Sequence, residues 1–296
     1  MFQKRSIGEI IFDNLNVVFL FFVMLITLYP LIFVAFGSIS DPTLFMRHRG
    51  LLFFPKGFDL GAYESIFKTR FMINSYKNTI FVTFVGTAIN IIATSIAAYF
   101  LSRKNVFWKK YVMILIVITM FFNGGLIPYY LCVNALGLRD SLWVLIIPGA
   151  ISTYNVIVMR TSFESIPVEL EESAYLDGAG HVTVLVKIIL PLSKAVIAVI
   201  ALWYGVGHWN SWFQASIFIN KRDKFPLQLI LREILLKQDM ALNELVVDYS
   251  AATDRQAVKQ TVKYAASMVA TIPILCVFPF LQKYFAKGVM IGALKG

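Results

Sequence analysis

Six long apolar segments alternate with polar stretches along the 296-residue chain. An α-helix needs about 20 mostly apolar residues to cross the hydrocarbon core of a bilayer, and each segment reaches about that length. The segments lie at about 15–37, 76–101, 111–131, 141–160, 195–219 and 263–284. The pattern therefore predicts an all-α integral membrane protein with six membrane-spanning helices.

Four of these segments contain proline, and in two of them it lies close to glycine. Asn123-Gly124-Gly125 and Pro128 lie inside the third segment, and Pro148-Gly149 lies inside the fourth. Proline removes a backbone donor and clashes with the preceding turn, and within a membrane neighbouring helices must satisfy the carbonyls that it frees. We expect the third span to be broken at this point, and the prolines of the spans to mark points of bending.

Composition supports a membrane protein and disfavours other classes. The chain is 58% hydrophobic and 15% charged, whereas soluble domains are about 45–50% apolar and about 25% charged. The first apolar run is longer than the about 7–15 residues of a signal-peptide core, so we interpret it as a retained span. Cys132 and Cys276 lie in apolar runs, which favours packing over a disulfide or a metal site. Basic residues do not cluster with aromatic ones as nucleic-acid binding requires.

One polar segment, 220–262, carries a helical pattern of its own. Apolar residues recur at helical spacing from Leu227 to Leu235, which predicts an amphipathic helix. Such a helix lies on the membrane face or on the bundle, or else it provides a docking surface for a partner outside the cytoplasm. The pattern leaves both interpretations open.

A second polar segment, 165–191, is unusually acidic. Its acidic residues are Glu169, Glu171, Glu172 and Asp177. We predict two short helices, the first capped by Ser165 or Ile166 and ended by Gly178 and Gly180. The second is predicted from about His181 to Leu190, where Pro191 stops it. Both are too short to span a bilayer, so the segment is predicted to be a rigid loop element at a membrane face.

The same segment resembles a known signature. Glu172-Ser-Ala-Tyr-Leu-Asp-Gly-Ala179, followed at Lys187 by Lys-Ile-Ile-Leu-Pro191, is similar to the "EAA" motif of permease subunits of ABC importers. The chain departs from that pattern at Ser173, where alanine is usual, and at Leu185, where an aromatic residue is common. The resemblance extends over the whole chain, including the Trp209-Asn210 pair. It is closest to the carbohydrate branch of these permeases, and within that branch to permeases for acidic or complex oligosaccharides.

The resemblance implies a type I permease bundle with a cytoplasmic coupling helix. The residues that the resemblance assigns to coupling with the ATPase are Glu169, Glu172, Ala174, Asp177, Gly178, Ala179 and Pro191. In such importers Glu172 would pair with a basic residue in a groove of an ATPase subunit. The implied partners are a second homologous permease, two ATPase subunits, an extracytoplasmic binding protein and an oligosaccharide. The chain has no phosphate-binding G-x-x-x-x-G-K-[ST] sequence, so ATP and Mg²⁺ are expected on the partner ATPase and no cofactor on this chain.

The resemblance also sets the expected orientation. With both termini in the cytoplasm of a bacterium, segment 165–191 is cytoplasmic and segment 220–262 is extracytoplasmic. Lysine and arginine are slightly more numerous on the side that this topology places outside, although the densest short cluster, 103–110, lies inside. The positive-inside rule weighs such short loops most, so charge alone leaves the topology nearly even.

Four residues are candidates for the substrate pathway, because aromatic rings stack on sugars and amides bind hydroxyl groups. They are Asn123, Trp209, Asn210 and Trp212. Tryptophan is also the ordinary residue of the membrane interface, and the partner permease can hold most of the sugar contacts. A self-sufficient secondary transporter would need ionisable residues within its spans, which are almost absent. No set of residues suggests an integral-membrane enzyme or a metal site.

Overall fold

The computed structural model describes residues 6–68, 71–103, 106–236 and 252–293, and this part of the chain is helical with no strand. The α-helices are α1 (Ile7–Ser38), α2 (Pro42–Arg47), α3 (Gly61–Lys68), α4 (Met72–Ser102), α5 (Lys109–Phe121), α6 (Leu126–Ala135), α7 (Thr153–Glu164), α8 (Glu169–Leu176), α9 (His181–Val184), α10 (Leu190–Leu192), α11 (Lys194–Trp209), α12 (Trp212–Phe218), α13 (Leu227–Leu236) and α14 (Ala252–Ala293). Short 3-10 helices occupy Leu142–Leu145 and Arg222–Lys224, and a π-helical turn occupies Leu185–Ile189.

Three helices of the described chain are long and apolar enough to cross a membrane. They are α1, α4 and the Gln256–Pro279 part of α14. Two bent pairs meet the same criterion when each is counted as one span: α5 with α6, bent by 118°, and His181–Leu192 with α11, bent by 86°. The described residues thus contain three to five candidate spans, compared with the six predicted from sequence.

The break between α5 and α6 follows from the Asn-Gly-Gly sequence. Gly125 has φ +86°, a conformation that glycine adopts without the penalty other residues incur. The side-chain oxygen of Asn123 accepts a hydrogen bond from the Gly125 amide at 3.0 Å and stabilises the turn. The chain can therefore change direction here without leaving that amide unpaired.

The predicted span at 141–160 is not one helix. It consists of the 3-10 turn at Leu142–Leu145, a non-helical stretch, and α7. Pro148 and Gly149 lie in the non-helical stretch, where proline cannot donate and glycine has little helix preference. Segment 141–160 is as apolar and as long as a span, but the backbone preferences of proline and glycine break its helix.

The chain forms two compact units, of which the first comprises residues 1–70 and 233–271. In this unit the rings of Phe33, Phe45 and Tyr264 pack edge to face, with centroids 5.5–6.0 Å apart. Gly37 lies against the Tyr264 ring, and a Cβ at this position would come within 2.8 Å of it. The most apolar part of α1 has no residue buried within the chain.

The second unit comprises residues 71–232 and 272–296, and in it α4 packs between α7 and α11. One buried apolar cluster surrounds Phe218 and includes Val82, Val144 and Leu229. The other surrounds Phe163 and includes Tyr99, Ile189 and Ile200. Helix α4 contributes to both clusters, so it is the central element of this unit.

A buried polar cluster lies beside the break that precedes α7; we call it the Asn90 cluster (Asn90, Thr94, Tyr204 and His208). The Asn90 amide donates to the carbonyls of Gly149 at 2.7 Å and of Ala150 at 2.9 Å. Its oxygen therefore accepts, and the His208 Nε2 atom, 2.6 Å away, carries the proton. The Tyr204 hydroxyl accepts from the Ser152 amide at 2.9 Å and pairs with Thr94 at 2.8 Å. The cluster thus satisfies backbone groups that the break leaves without helical partners.

The amphipathic helix predicted in segment 220–262 is present as α13. Leu227, Ile230, Leu231 and Ile234 are buried as the pattern requires. Leu235 is exposed, however, and Leu229 is buried in its place, so the buried stripe is rotated from the predicted one. Residues 237–251 of the same segment lie outside the described chain.

Candidate functional site

The acidic segment contains two short helices, but the first begins later than predicted. Helix α8 starts at Glu169 after Val168, which makes no side-chain cap. Ser165 belongs instead to the end of α7, where its hydroxyl donates to the Ser162 carbonyl at 2.8 Å, so the predicted caps at Ser165 and Ile166 are wrong. Three glutamates in the first turn of α8 place negative charge at the positive end of the helix dipole.

The turn after α8 depends on one glycine. Gly178 has φ +81°, and the Ala179 amide donates back to the Ala174 carbonyl at 2.9 Å, which closes the helix end. Gly180 has φ −83°, so its backbone does not require glycine. The two-glycine ending predicted from sequence therefore reduces to Gly178.

The second short helix continues beyond its predicted end. After α9 the backbone passes through the π-helical turn, and Pro191 lies inside α10 and does not stop the helix at Leu190. In that turn the Leu190 amide bonds five residues back, to the Leu185 carbonyl. The helical path ends only at Ser193, where the chain bends by 86° into α11.

Helix α8 presents two different faces. On one, Glu171 is buried and pairs with Arg103, the first residue after α4. Ala174 and Ala179 are partly buried against the cluster around Phe163. The other face is exposed and includes Glu169, Glu172 and Leu176, and Asp177, directly after the helix, is exposed as well. The Leu176 side chain is 89% exposed, an unusual position for a leucine in a helix otherwise anchored to its own chain.

Further charged contacts gather at the same end of α4. Glu164 accepts hydrogen bonds from Lys109 at 3.1 Å and from Arg160 at 2.8 Å. Burial opposes ionisation of Glu164, but these two cations outweigh it and hold the pKa of that carboxyl below its usual value. Arg160 also donates to the Leu101 carbonyl at 3.2 Å. Burial lowers the pKa of the Arg103 guanidinium from its usual high value.

The other end of α4 holds a different polar segment. The Asn78 amide donates to the carbonyls of Asp223 at 2.9 Å and of Phe225 at 3.2 Å, and the Thr79 hydroxyl accepts from the Leu227 amide at 2.8 Å. At 1.5 Å per residue, α4 spans about 37 Å between Asn78 and Arg103. That length exceeds the about 30 Å thickness of the hydrocarbon core.

The four substrate-pathway candidates have different environments. Asn123 is exposed and holds the turn before α6, and Asn210 is exposed at the end of α11. Trp209 is buried. Trp212 is half-buried, with the Arg232 guanidinium 3.5 Å above its ring. Sequence reasoning missed the Trp212–Arg232 contact because α12 and α13 are brought together by the fold.

Two other observations concern candidate chemistry. Cys132 and Cys276 are free and exposed in the described chain, so the packing favoured from sequence is not packing within this chain's own core. Among the described residues, no group of three or more histidine, cysteine, aspartate or glutamate side chains is placed to hold a metal ion.

Comparison with known families identifies the chain. The model of the family described as "Binding-protein-dependent transport system inner membrane component" matches residues 81–291, which include α8, the turn at Gly178 and α11. The chain belongs to this family. It is therefore a membrane-embedded permease, the non-catalytic subunit of an ABC importer whose ATP hydrolysis takes place on partner ATPase subunits.

Individual relatives cover nearly the whole permease. Protein LplC of Bacillus subtilis (strain 168) is 41% identical over 97% of this chain and 95% of its own length. The polygalacturonan/rhamnogalacturonan transport system permease protein YtcP of the same organism is 40% identical over 97% of this chain and 99% of its own. The predicted family is thus confirmed over 97% of the chain.

A solved structure agrees with the fold. A chain of the crystal structure of a bacterial ABC transporter involved in the import of the acidic polysaccharide alginate superposes with a TM-score of 0.86. It is 32% identical, and the match covers 95% of this permease and 99% of that chain. The predicted all-helical type I permease fold is confirmed at this level.

Proposed function

We propose that this permease forms half of the translocation pathway of an ABC importer for acidic oligosaccharides. YtcP is named for polygalacturonan and rhamnogalacturonan, and the similar solved structure is involved in the import of the acidic polysaccharide alginate. The polymers in both names contain sugar carboxylates. Two similar proteins linked to anionic sugar polymers support the acidic branch over neutral oligosaccharides.

The proposed topology has six spans, with both termini and segment 165–191 in the cytoplasm and segment 220–262 outside. The structural support comes from α4. Its Arg103 end contacts α8, and its Asn78 end contacts the stretch from Asp223 to Leu227. At the rise of an α-helix, Asn78 and Arg103 are about 37 Å apart along the helix axis. A helix of that length is long enough to cross a hydrocarbon core about 30 Å thick, which supports the proposal that the two segments lie on opposite sides.

Helix α8 is the proposed coupling element. Its residues divide into an anchored set and an exposed set: Glu171 and Ala174 face the chain, whereas Glu169, Glu172 and Asp177 face outward. Leu176 extends from the exposed face as an apolar contact for the floor of a partner groove. Gly178, Ala179 and Pro191 shape the path that returns the chain to α11. A small exposed surface of this kind, which combines carboxylates with an apolar side chain, is suited to bind a separate subunit.

The proposed pathway residues also divide into exposed and buried side chains. Asn123 and Asn210 are exposed and can reach hydroxyl groups of a sugar. Trp209 and Trp212 lie beside Asn210 in sequence but are buried or half-buried, so their proposed part is to shape the wall that carries Asn210. The cation–π contact of Arg232 places a positive charge beside this wall, which suits an anionic solute.

The division of α8 into a buried Glu171 and an exposed Glu172 carries the proposal for coupling. Glu172→Lys reverses the exposed charge without disturbing a buried contact. We expect a purified permease that folds normally but whose assembled transporter loses ATP-driven uptake at least tenfold. Asp223→Lys, which reverses another exposed acid at the opposite end of α4, is the matched control and should retain uptake. Normal uptake and ATP hydrolysis with Glu172→Lys would refute the coupling role.

The substrate class needs its own experiment. The transporter, reconstituted with its binding protein, is given radiolabelled trigalacturonate and, separately, a neutral trisaccharide. We expect ATP-dependent accumulation of the anionic sugar and at least tenfold less of the neutral one. Accumulation of the neutral sugar alone would overturn the acidic assignment and leave the permease identity intact.

A further inference from the structure

The coupling motif does not account for a second group of residues at the end of α4. We call it the Arg103 cluster (Tyr99, Arg103, Glu171, Tyr175 and His181). Arg103 forms an ion pair with Glu171, whose side chain is only 5% exposed. The guanidinium also lies over the Tyr99 ring, 4.9 Å from its centroid. Arg103 thus contacts both α4, from which it extends, and α8.

The remaining members of the cluster continue this connection. The Tyr99 hydroxyl is 3.2 Å from the Tyr175 hydroxyl, and the Tyr175 hydroxyl is 2.9 Å from His181 Nδ1. The rings of Tyr175 and His181 also pack edge to face, with centroids 5.4 Å apart. A continuous series of side-chain contacts therefore connects α4 with α8 and α9.

The neighbouring residues of the motif have opposite environments. Glu172 is exposed, whereas Glu171 is buried against its own chain. Separating a buried ion pair leaves each charge poorly solvated, so such a pair resists being pulled apart. The backbone between α7 and α8, residues 165–168, is not helical. A short helix joined by such a link would move independently of the spans unless side chains held it to them.

We propose that the Arg103–Glu171 ion pair is a positioning device that makes α8 and α4 move as one body, so that displacement of α8 by the ATPase reaches α4 directly. This inference rests on the proposed function, in which α8 contacts the ATPase. Glu172 then contacts the ATPase, whereas Glu171 transmits the movement of α8 to α4 within the permease. Arg103 has the same positioning role from the α4 side.

The experiment measures movement of α4 in the complete transporter in nanodiscs, with ATP and vanadate as probes and no solute. A spin label at Ala88, on the exposed face of α4, is paired with one on the partner permease in a background without Cys132 and Cys276. The distance between labels is measured before and after vanadate trapping. Glu171→Gln is compared with Asp223→Asn, which changes an exposed acid near the other end of α4 that has no part in the coupling surface.

We expect the wild type and Asp223→Asn to show the same ATP-dependent change in distance. Glu171→Gln should still hydrolyse ATP but lose at least half of that change, and the reversed pair, Arg103→Glu with Glu171→Arg, should regain it. A full change in Glu171→Gln, or no recovery in the reversed pair, would overturn the proposal. If Glu171→Gln does not assemble, the double variant Arg103→Glu with Glu171→Arg is measured alone. Recovery of the wild-type change in distance then supports the proposal, and no recovery overturns it.

The same experiment separates this inference from the proposed function. Because no sugar is present, failure of oligosaccharide transport leaves the result unaffected. Absence of any ATP-dependent change in the wild type would overturn both the inference and the coupling role of α8. If the wild type shows the ATP-dependent change in distance and disrupting the ion pair leaves that change unaltered, only the inference is overturned.

Discussion

The Asn90 cluster makes a prediction whose size follows from its contacts. Asn90→Ala removes two donors from the carbonyls of Gly149 and Ala150 and leaves the His208 Nε2 proton without its acceptor. Side-chain hydrogen bonds in membrane proteins average about 0.6 kcal/mol, which gives about 2 kcal/mol for three. A buried group left unsatisfied costs about 1–3 kcal/mol, which sets a higher bound. We expect a loss of about 2–3 kcal/mol in the free energy of unfolding.

The assay is unfolding of the purified permease in mixed micelles with increasing SDS, followed by tryptophan fluorescence. Asn123→Ala is the matched control, because Asn123 is exposed and makes one local hydrogen bond. Asn90→Asp tests the orientation of the amide: it keeps an acceptor for His208 but places a carboxylate beside two carbonyls, so it should destabilise at least as much as alanine. Equal unfolding midpoints for Asn90→Ala and Asn123→Ala would refute the reasoning.

Two glycine substitutions give further predictions, each paired with a control substitution at another glycine. Gly86→Ala places a Cβ 2.6 Å from the buried ring of His208, so this variant should be destabilised by about 1–3 kcal/mol. A Cβ at Gly207 would have no atom within 4 Å, so Gly207→Ala should change stability little in the same SDS titration. Gly178→Ala forces a positive φ on alanine and should cost about 1–2 kcal/mol. Gly180→Ala should be tolerated, and equal protease sensitivity of the two variants in segment 165–191 would contradict the proposed turn.

Part of the fold was accessible from the sequence because it depends on local signals. Long apolar runs predicted α1, α4 and the apolar part of α14, and the Asn-Gly-Gly sequence predicted the break before α6. The position of the turn at Gly178 also followed from local chemistry, since a left-handed backbone favours glycine. Segment 141–160 was predicted less well because hydropathy does not distinguish a straight helix from a broken one.

The interior of the candidate site could not be predicted for a different reason. Glu171 and Glu172 are adjacent and chemically identical in sequence, yet one is buried and the other exposed. Arg103 lies 68 positions before Glu171 in the chain, and only the packing of α4 against α7 and α11 brings them together. The same holds for Asn90 and His208. Contacts between distant residues leave no local pattern for sequence reasoning to find.

The central claim is that the exposed face of α8 binds the ATPase on the cytoplasmic side. The most direct measurement is photo-cross-linking from a benzophenone amino acid at Leu176 in the assembled transporter, followed by mass spectrometry of the product. The account predicts a cross-link to the ATPase subunit, and none to it from the same probe at Leu60, an exposed leucine in segment 38–70 that the topology places outside. A cross-link from Leu176 to the binding protein, or none to the ATPase in a complex that hydrolyses ATP, would contradict it.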